Sequence, residues 1–236
     1  MFVIAFKLQS DKLTDISYAI TFVTLTVLAF LGSNNNAIQA MVLGFVFVWA
    51  IRIGIFLLTR VIHMKKDSRF DKVRHKPLSF LSFWIYQAVT AWLILIPVFY
   101  AMNSSLSIFN WITYLGIIVW VLGYTIESFA DKQKFIFKLN KKNKGKWIQS
   151  GLWKYSRHPN YFGEIACWLG IYLIVVSSLT PMQRIIGFIG PLWIYIALQH
   201  ISGTPILERK YDERYKSNKA YQKYKQTTNL LVPWFK

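Results

Sequence analysis

Long runs of apolar residues constrain this chain more than any other feature of its sequence. A hydrocarbon core about 30 Å thick is crossed by roughly 20 apolar residues in a helix. Stretches near that length, with few charges, span about residues 14–31, 37–62, 79–101, 106–130, 160–178 and 181–202. The sequence therefore predicts an all-α fold, a polytopic membrane helix bundle with about six transmembrane helices in a single domain.

The basic residues predict how such a bundle is oriented. The chain is 54% hydrophobic and 16% charged, which is too apolar for an ordinary soluble domain. Its net charge of +18 lies mainly in residues 65–76, 132–157 and 209–236, between or after apolar runs. This arrangement favours membrane lipid over nucleic acid as the partner. The other connections lack Lys and Arg, so the positive-inside rule predicts both termini in the cytoplasm, with a bacterial inner membrane as the expected location.

The first apolar run resembles a signal peptide, but the alternation of basic and uncharged connections favours a retained span. Residues 131–159 and 203–236 are then expected to form a basic cytoplasmic cap. The lone Cys167 excludes an intramolecular disulfide framework, and the four histidines are too scattered to suggest a metal site.

The stretch "SRHPNYFGE" introduces the fifth run with polar residues. Pro159 suits the first position of a helix, whose positive end, with Arg157 and His158, is a reasonable seat for phosphate. Asn160 and Glu164 are four residues apart and share a helix face. The alternative is that these side chains are interfacial anchors and dipole-stabilising groups. Glu164 is harder to explain in this way, because an unpaired charge within an apolar run is expensive.

Basic and aromatic residues on either side of this stretch extend the candidate site. Asp131, Lys134 and Lys138 share a helical stripe that suits ribose and phosphate, although the lysines that follow also suit an electrostatic contact with anionic lipid. In the tail, aromatic residues alternate with basic ones, as in surfaces that stack on flat rings; a solvated basic amphipathic helix is the alternative. No glycine-rich Rossmann or P-loop pattern is present, which excludes those nucleotide sites.

Two further candidate residues, Arg52 and Tyr86, lie within the earlier apolar runs. Arg52 is near the middle of the second run, where an arginine costs about 2.5–3.5 kcal/mol on insertion scales, so it should have a partner such as Glu127 or Glu164. Tyr86, in the third run, offers a phenol that can donate a proton in an apolar cavity. An interfacial aromatic residue is the other reading of Tyr86.

The string "GLWKYSRHPNYFGE", residues 151–164, resembles a signature of the steroid 5-alpha-reductase superfamily, in particular its small bacterial DUF1295-type members. The resemblance extends to "RIGIFLLTR", "DSRF", "ADKQ" and "SGTPILE", and to a Y-x-x-Y pattern in the tail. The R-H-P-x-Y part is also similar to isoprenylcysteine carboxyl methyltransferases. The Q-E-x-P-S segment of the eukaryotic steroid reductases has no match, which places steroid recognition in doubt.

The resemblance implies an NADPH-dependent reductase that transfers a hydride to a conjugated enone of a lipophilic, steroid-like or isoprenoid, substrate. It assigns the cofactor to Asp131, Lys138, Tyr155, Arg157, His158, Asn160, Glu164, Glu208, Arg209 and Tyr224. Tyr86 and Glu164 are the candidate catalytic residues. The alternatives are a methyltransferase that uses S-adenosylmethionine on a lipid or prenylcysteine-type carboxylate, and a non-catalytic protein that binds anionic lipid.

Overall fold

The structure, a computed structural model, describes residues 2–7, 12–64 and 76–234, which form a succession of helices. The α-helices are α1 Phe2–Lys7, α2 Lys12–Leu31, α3 Ala37–Met64, α4 Pro77–Met102, α5 Trp111–Leu139, α6 Pro159–Val175, α7 Pro181–Gly187, α8 Ile189–Ile196, α9 Thr204–Arg214 and α10 Lys219–Thr227. Short 3-10 turns cover Lys141–Asn143, Gly151–Lys154 and Val176–Ser178, and a π-helical turn covers Ala197–Ile201. The "DSRF" stretch and Lys236 lie outside the described residues.

Within the residues that the structure describes, five helical segments are long and apolar enough to cross a membrane, and they confirm the predicted membrane fold. They are Ala37–His63, Pro77–Met102, Trp111–Leu139, Pro159–Ser178 and Pro181–Arg214. The first predicted run is helical too, but its apolar part, Ile16–Leu31, is shorter. The chain is therefore an integral multi-pass membrane protein.

Helix boundaries differ from the apolar runs where side chains cap or extend a helix. α5 begins at Trp111, not near residue 106, because the Asn110 Oδ1 accepts hydrogen bonds from the backbone N–H groups of Ile112 and Thr113. It also continues to Leu139, beyond the predicted end at residue 130. After the sixth apolar run, which was predicted to end at residue 202, the chain is helical again from Thr204 to Arg214 in α9. Helices thus carry polar residues out of the apolar segments.

Contacts divide the chain into two compact units. Unit 1 comprises Met1–Thr113 and Ile174–Gly190, and unit 2 comprises Tyr114–Leu173 and Pro191–Lys236. The predicted cofactor residues all fall in unit 2, whereas Tyr86 lies on α4 in unit 1. Each unit is described by itself below.

In unit 1, a polar network joins the start of α3 to the end of α4. Asn36 and Gln39 cap α3 reciprocally, since each side-chain oxygen accepts from the other residue's backbone N–H, at 2.8 and 3.1 Å. The Gln39 Nε2 group then donates to the carbonyl oxygens of Ala101 and Met102. Carbonyl groups that the end of α4 leaves without helical partners are satisfied in this way.

In unit 2, small residues bring the backbones of α5 and α6 together. A Cβ atom added at Gly163 would lie 2.5 Å from the Glu127 nitrogen, and one at Gly170 would lie 2.7 Å from the Trp120 nitrogen. Such close approach is typical of membrane helices, whose association depends on van der Waals packing because lipid is as apolar as the helix surface. The two glycines, two turns apart, therefore determine how closely α6 lies against α5.

We predict that Gly170→Ala destabilises the protein by about 1–3 kcal/mol, the usual range for overpacking a tight interface. Gly44→Ala is the matched control, because an added Cβ there meets nothing within 4 Å. Thermal unfolding in detergent measures both variants. Equal melting temperatures for the two variants would contradict the close packing of α5 and α6.

Candidate functional site

The backbone before α6 is held by the C-terminal tail. The Arg157 N–H donates to the Asn229 carbonyl oxygen at 2.9 Å, and the Ser156 hydroxyl donates to the Leu231 carbonyl oxygen at 2.7 Å. The same hydroxyl accepts from the His158 N–H at 3.1 Å. Helix α6 then begins at Pro159, as predicted. These bonds fix the directions in which the Arg157 and His158 side chains point.

Both side chains bind one carboxylate on α9. Arg157 Nη1 forms an ion pair with Glu208 Oε2, and His158 Nε2 lies 2.9 Å from Glu208 Oε1. Because a carboxylate only accepts hydrogen bonds, the short contact assigns the imidazole proton to Nε2. The His158 side chain is 1% exposed, and the two charged side chains are largely buried. Three residues from two distant segments thus form a buried polar cluster.

The burial of His158 controls its protonation. Burial lowers the pKa of this imidazole, and the positive charge of Lys134 lowers it further, against the opposing effect of Glu208. His158 is therefore neutral near pH 7, with an unprotonated Nδ1 that can accept a hydrogen bond. Among the described residues, the buried Nδ1 has no hydrogen-bond partner. Buried acceptors usually have a hydrogen-bond partner, so His158 Nδ1 is available to a donor from outside the chain.

A second polar contact lies at the first turn of α6. The Asn160 Nδ2 group donates to Asp131 Oδ1 on α5 at 3.2 Å, and Asp131 is buried. The buried Asn160 Oδ1 makes no hydrogen bond to any residue that the structure describes. Asn160 and Asp131 therefore present an amide and a carboxylate together at the start of the helix.

Aromatic residues cover the polar cluster on one side. The Trp147 ring packs against Tyr215 and Tyr221, with centroids 5.1 and 5.2 Å apart, and the Tyr224 hydroxyl donates to the Trp153 carbonyl oxygen at 2.7 Å. Burial raises the pKa of both Tyr221 and Tyr224, which keeps these phenols protonated. The alternation of aromatic and basic residues in the tail indicated such an aromatic surface.

A small cavity lies between the aromatic cover and the cluster. Its volume is about 20 Å³, room for a single water molecule. The lining includes Trp147, Trp153, Arg157, Glu208 and Tyr224. The two tryptophans were not among the residues predicted for the site, although both stand beside the basic loop in "GKW" and "GLW". The arrangement in unit 2 is therefore closely packed, and a larger ligand requires these side chains to move.

Lys134 adds a further cation to this region. Its Nζ lies 4.4 Å from the centroid of the Trp153 ring, and the Trp153 Nε1–H donates to the Ala130 carbonyl oxygen at 3.0 Å. A cation over an indole face is attracted by the ring's negative potential. The helical stripe expected from Asp131 and Lys134 therefore does bring both residues to the side of α5 that serves the candidate site.

Other predicted residues lie in different surroundings. Lys138 is exposed near the end of α5, and the Arg209 side chain is 83% exposed and paired with Glu213. Tyr155 is half-buried, with Lys154 Nζ 5.7 Å from its ring centroid. Glu164 is half-buried on α6, and Tyr86 is half-buried on α4. The cofactor and catalytic roles suggested for these residues stay predictions, as does the pairing of Arg52 with Glu127 or Glu164.

We predict that acidification destabilises the protein through His158. An unfolded imidazole takes up its proton near pH 6.5, whereas the folded state resists protonation, so stability is greatest above that pH. It falls as the pH drops below 6.5 and levels off once folded His158 is protonated. The loss of melting temperature between pH 7.5 and 5.5 should be smaller in His158→Gln than in the wild type. His200→Gln, which removes an exposed imidazole, is the control and should lose as much melting temperature between these pH values as the wild type. A loss in His158→Gln equal to that of the wild type would refute the prediction.

Known proteins share parts of this sequence. The chain is 30% identical over 131 residues to the Delta(14)-sterol reductase of Arabidopsis thaliana. That alignment covers 50% of this chain and 31% of the plant protein, so the chain spans about a third of the length of this relative. Residues 1–228 match the family described as "Protein of unknown function (DUF1295)", and the chain belongs to the DUF1295 family.

Proposed function

We propose that this protein is an NADPH-dependent membrane reductase that transfers a hydride to a conjugated enone of a lipophilic, steroid-like or isoprenoid, substrate. The observation that carries the proposal is the buried cluster of Arg157, His158 and Glu208 at the start of an apolar helix. The similarity to a protein named as a sterol reductase supports the reaction class. Within the steroid 5-alpha-reductase superfamily, the chain would be a small bacterial member.

The donors and acceptors in unit 2 fit the polar part of such a cofactor. His158 Nδ1, Asn160 Oδ1 and Arg157 Nε are buried, and none has a hydrogen-bond partner among the described residues. Arginine suits phosphate, because its planar group donates several hydrogen bonds in a fixed geometry. An amide beside a carboxylate suits ribose hydroxyls or a carboxamide. Arg157 would therefore hold phosphate, and Asn160 with Asp131 would hold a hydroxyl or amide group.

Of the remaining members of the predicted cofactor site, Lys138, Tyr155, Arg209 and Tyr224 would complete it from the loop and tail, and Glu208 would act on it through its ion pair with Arg157. When bound, NADPH supplies the hydride, which adds to the β-carbon of the enone. A proton must then reach the carbonyl side of the substrate, and we propose Tyr86 or Glu164 as its donor. A dry site strengthens the interaction of such a donor with the developing negative charge. The protein would thereby stabilise an enolate that water would otherwise solvate.

Glu208 has a further consequence for binding. Its carboxylate is already bonded to Arg157 and His158, so it occupies the position of an anion in the proposed phosphate seat. The adjoining cavity holds about 20 Å³, far less than a dinucleotide needs. Phosphate binding would therefore compete with Glu208 for Arg157, and the cluster would have to open.

We also propose an orientation of the chain in the membrane. Both termini and the cap of unit 2 would face the cytoplasm of a bacterium, where NADPH is present, and the apolar helices would admit a substrate dissolved in the inner membrane. A methyltransferase that uses S-adenosylmethionine is the competing function. Such a methyltransferase would have the same membrane location and the same R-H-P-x-Y residues as the reductase, but it would not need a hydride donor.

The first test of the proposal is a thermal-shift titration of the detergent-purified protein with NADPH, NADH and S-adenosylmethionine. A ligand at 100 times its dissociation constant stabilises the folded state by about 2.7 kcal/mol. We expect NADPH to raise the melting temperature, with at least tenfold weaker binding in Asn160→Ala and Arg157→Ala. Lys132→Ala is the control, because Lys132 is an exposed cation next to Asp131. A shift with S-adenosylmethionine alone would favour the methyltransferase, and no shift with any ligand would refute both enzymes.

A second prediction concerns Glu208. Glu208→Gln keeps the shape of the side chain and removes its charge, so the ligand-free protein should lose stability while the affinity for NADPH rises several-fold. Asp212→Asn is the matched control, since Asp212 pairs with Lys225 elsewhere in the tail. Melting temperatures with and without NADPH measure both effects. Weaker NADPH binding in Glu208→Gln would mean that Glu208 holds Arg157 in position for the cofactor and does not compete with it.

A further inference from the structure

Helix α10 has two chemically different faces. Tyr221 and Tyr224 point towards Trp147 and Trp153, and Lys225 Nζ lies 2.6 Å from Asp212 Oδ2. The opposite face repeats at intervals of three and four residues, with Lys219, Gln222, Lys223 and Gln226. Residues at this spacing lie side by side on a helix. The inner face therefore accounts for how α10 packs, and the outer face does not take part in that packing.

The outer face carries cations without internal counter-ions. Lys216, Lys219 and Lys223 are exposed, and within the described ranges none of their Nζ groups makes an ion pair or a hydrogen bond. The acidic residues of α9 are already engaged, since Glu208 binds Arg157, Asp212 binds Lys225 and Glu213 binds Arg209. The two like charges on this face and that of Lys216, in the turn before the helix, repel one another, so an anion from outside the chain would stabilise them.

The three lysines line one open depression on the surface. Its volume is about 590 Å³, and Gln222, Gln226 and Thr227 complete much of its lining. The ammonium and amide groups together offer several hydrogen-bond donors to a phosphate, whereas the Thr227 hydroxyl already donates to the Lys223 carbonyl oxygen. This depression belongs to the tail and does not include Arg157, His158 or Asn160, so it is distinct from the proposed cofactor site.

The position of the depression bears on the source of the phosphate. Lys216 comes two residues after Arg214, where α9 ends, and α9 is the polar continuation of the helical segment Pro181–Arg214, which is long enough to cross a membrane. The Tyr215 hydroxyl donates to the Gly145 carbonyl oxygen at 3.0 Å, which joins this region to the loop that leaves the apolar segment Trp111–Leu139. That loop brings the exposed residues Lys141, Lys142, Lys144 and Lys146. Basic residues next to the ends of membrane spans lie where lipid headgroups are concentrated.

We propose that the outer face of α10, with Lys216, is a seat for the phosphate of an anionic phospholipid headgroup. Lys216, Lys219 and Lys223 neutralise the phosphate, and the amide groups of Gln222 and Gln226 donate hydrogen bonds to it or to the headgroup. The lysines of residues 141–146 raise the local concentration of anionic lipid without forming the seat. The occupant is a lipid of the same bilayer that the chain spans.

The test uses the full chain in detergent, titrated with short-chain phosphatidylglycerol while thermal unfolding is followed. Phosphatidylcholine and inorganic phosphate are the comparison ligands. We expect phosphatidylglycerol to raise the melting temperature in a salt-sensitive manner and the other two to have little effect. K216Q/K219Q/K223Q should weaken phosphatidylglycerol binding at least tenfold, whereas K216R/K219R/K223R should retain it. All three positions are exposed, and the melting temperature without lipid verifies that the variants fold.

A second triple variant, K141Q/K142Q/K144Q, removes the same charge from the neighbouring loop. Binding that falls equally in both triple variants would overturn the seat in favour of diffuse attraction. An equal effect of inorganic phosphate would assign the depression to soluble phosphates and overturn the lipid proposal. No response to phosphatidylglycerol would also overturn it. Because the readout does not use NADPH, none of these outcomes bears on the proposed reductase.

Discussion

The candidate site depends on the Glu208 carboxylate, which binds Arg157 through one oxygen and His158 through the other. It joins α9 to the residues before α6 and holds Arg157 and His158 side by side. Removing one member of a buried ion pair leaves the other charge uncompensated, which is why such pairs are costly to break. The same contact assigns the proton of His158 to Nε2 and leaves Nδ1 as an acceptor. The positions of Arg157 and His158 and the choice of the protonated imidazole nitrogen therefore follow from one carboxylate, whereas burial keeps the imidazole neutral.

The C-terminal tail provides the second constraint on this site. Residues 229 and 231 bond to the backbone and side chain of residues 156 and 157, and Tyr224 bonds to Trp153. The bonds join segments more than 70 positions apart in the chain. The described residues of the cap form α9, α10 and short turns, and the backbone groups of the segments between them find partners across the cap. The position of the tail and the geometry of the R-H-P stretch therefore depend on the same hydrogen bonds.

Local signals predicted the part of the structure that depends on local physics. The length of the apolar runs gave the membrane fold, and the conformational limits of proline gave the start of α6 at Pro159. The partner of Arg157 could not be derived in this way, because Glu208 is 51 positions away and no spacing rule connects them. Glu208 and Arg209 are neighbours in sequence, but successive helical residues differ by about 100° in direction. Glu208 faces the cluster, and Arg209 is exposed and pairs with Glu213.

The high net charge of the chain, +18, has two physical components. Some cations hold the cap together: Arg157 pairs with Glu208, and Lys225 pairs with Asp212. The positive-inside rule concerns only the number of cations near the membrane spans. It does not require Lys219 and Lys223 to share the one face of α10 that is turned away from its tyrosines. Lys219 and Lys223 therefore lie close together and repel each other, although the packing of α10 does not require it. An anion from outside the chain would stabilise this arrangement.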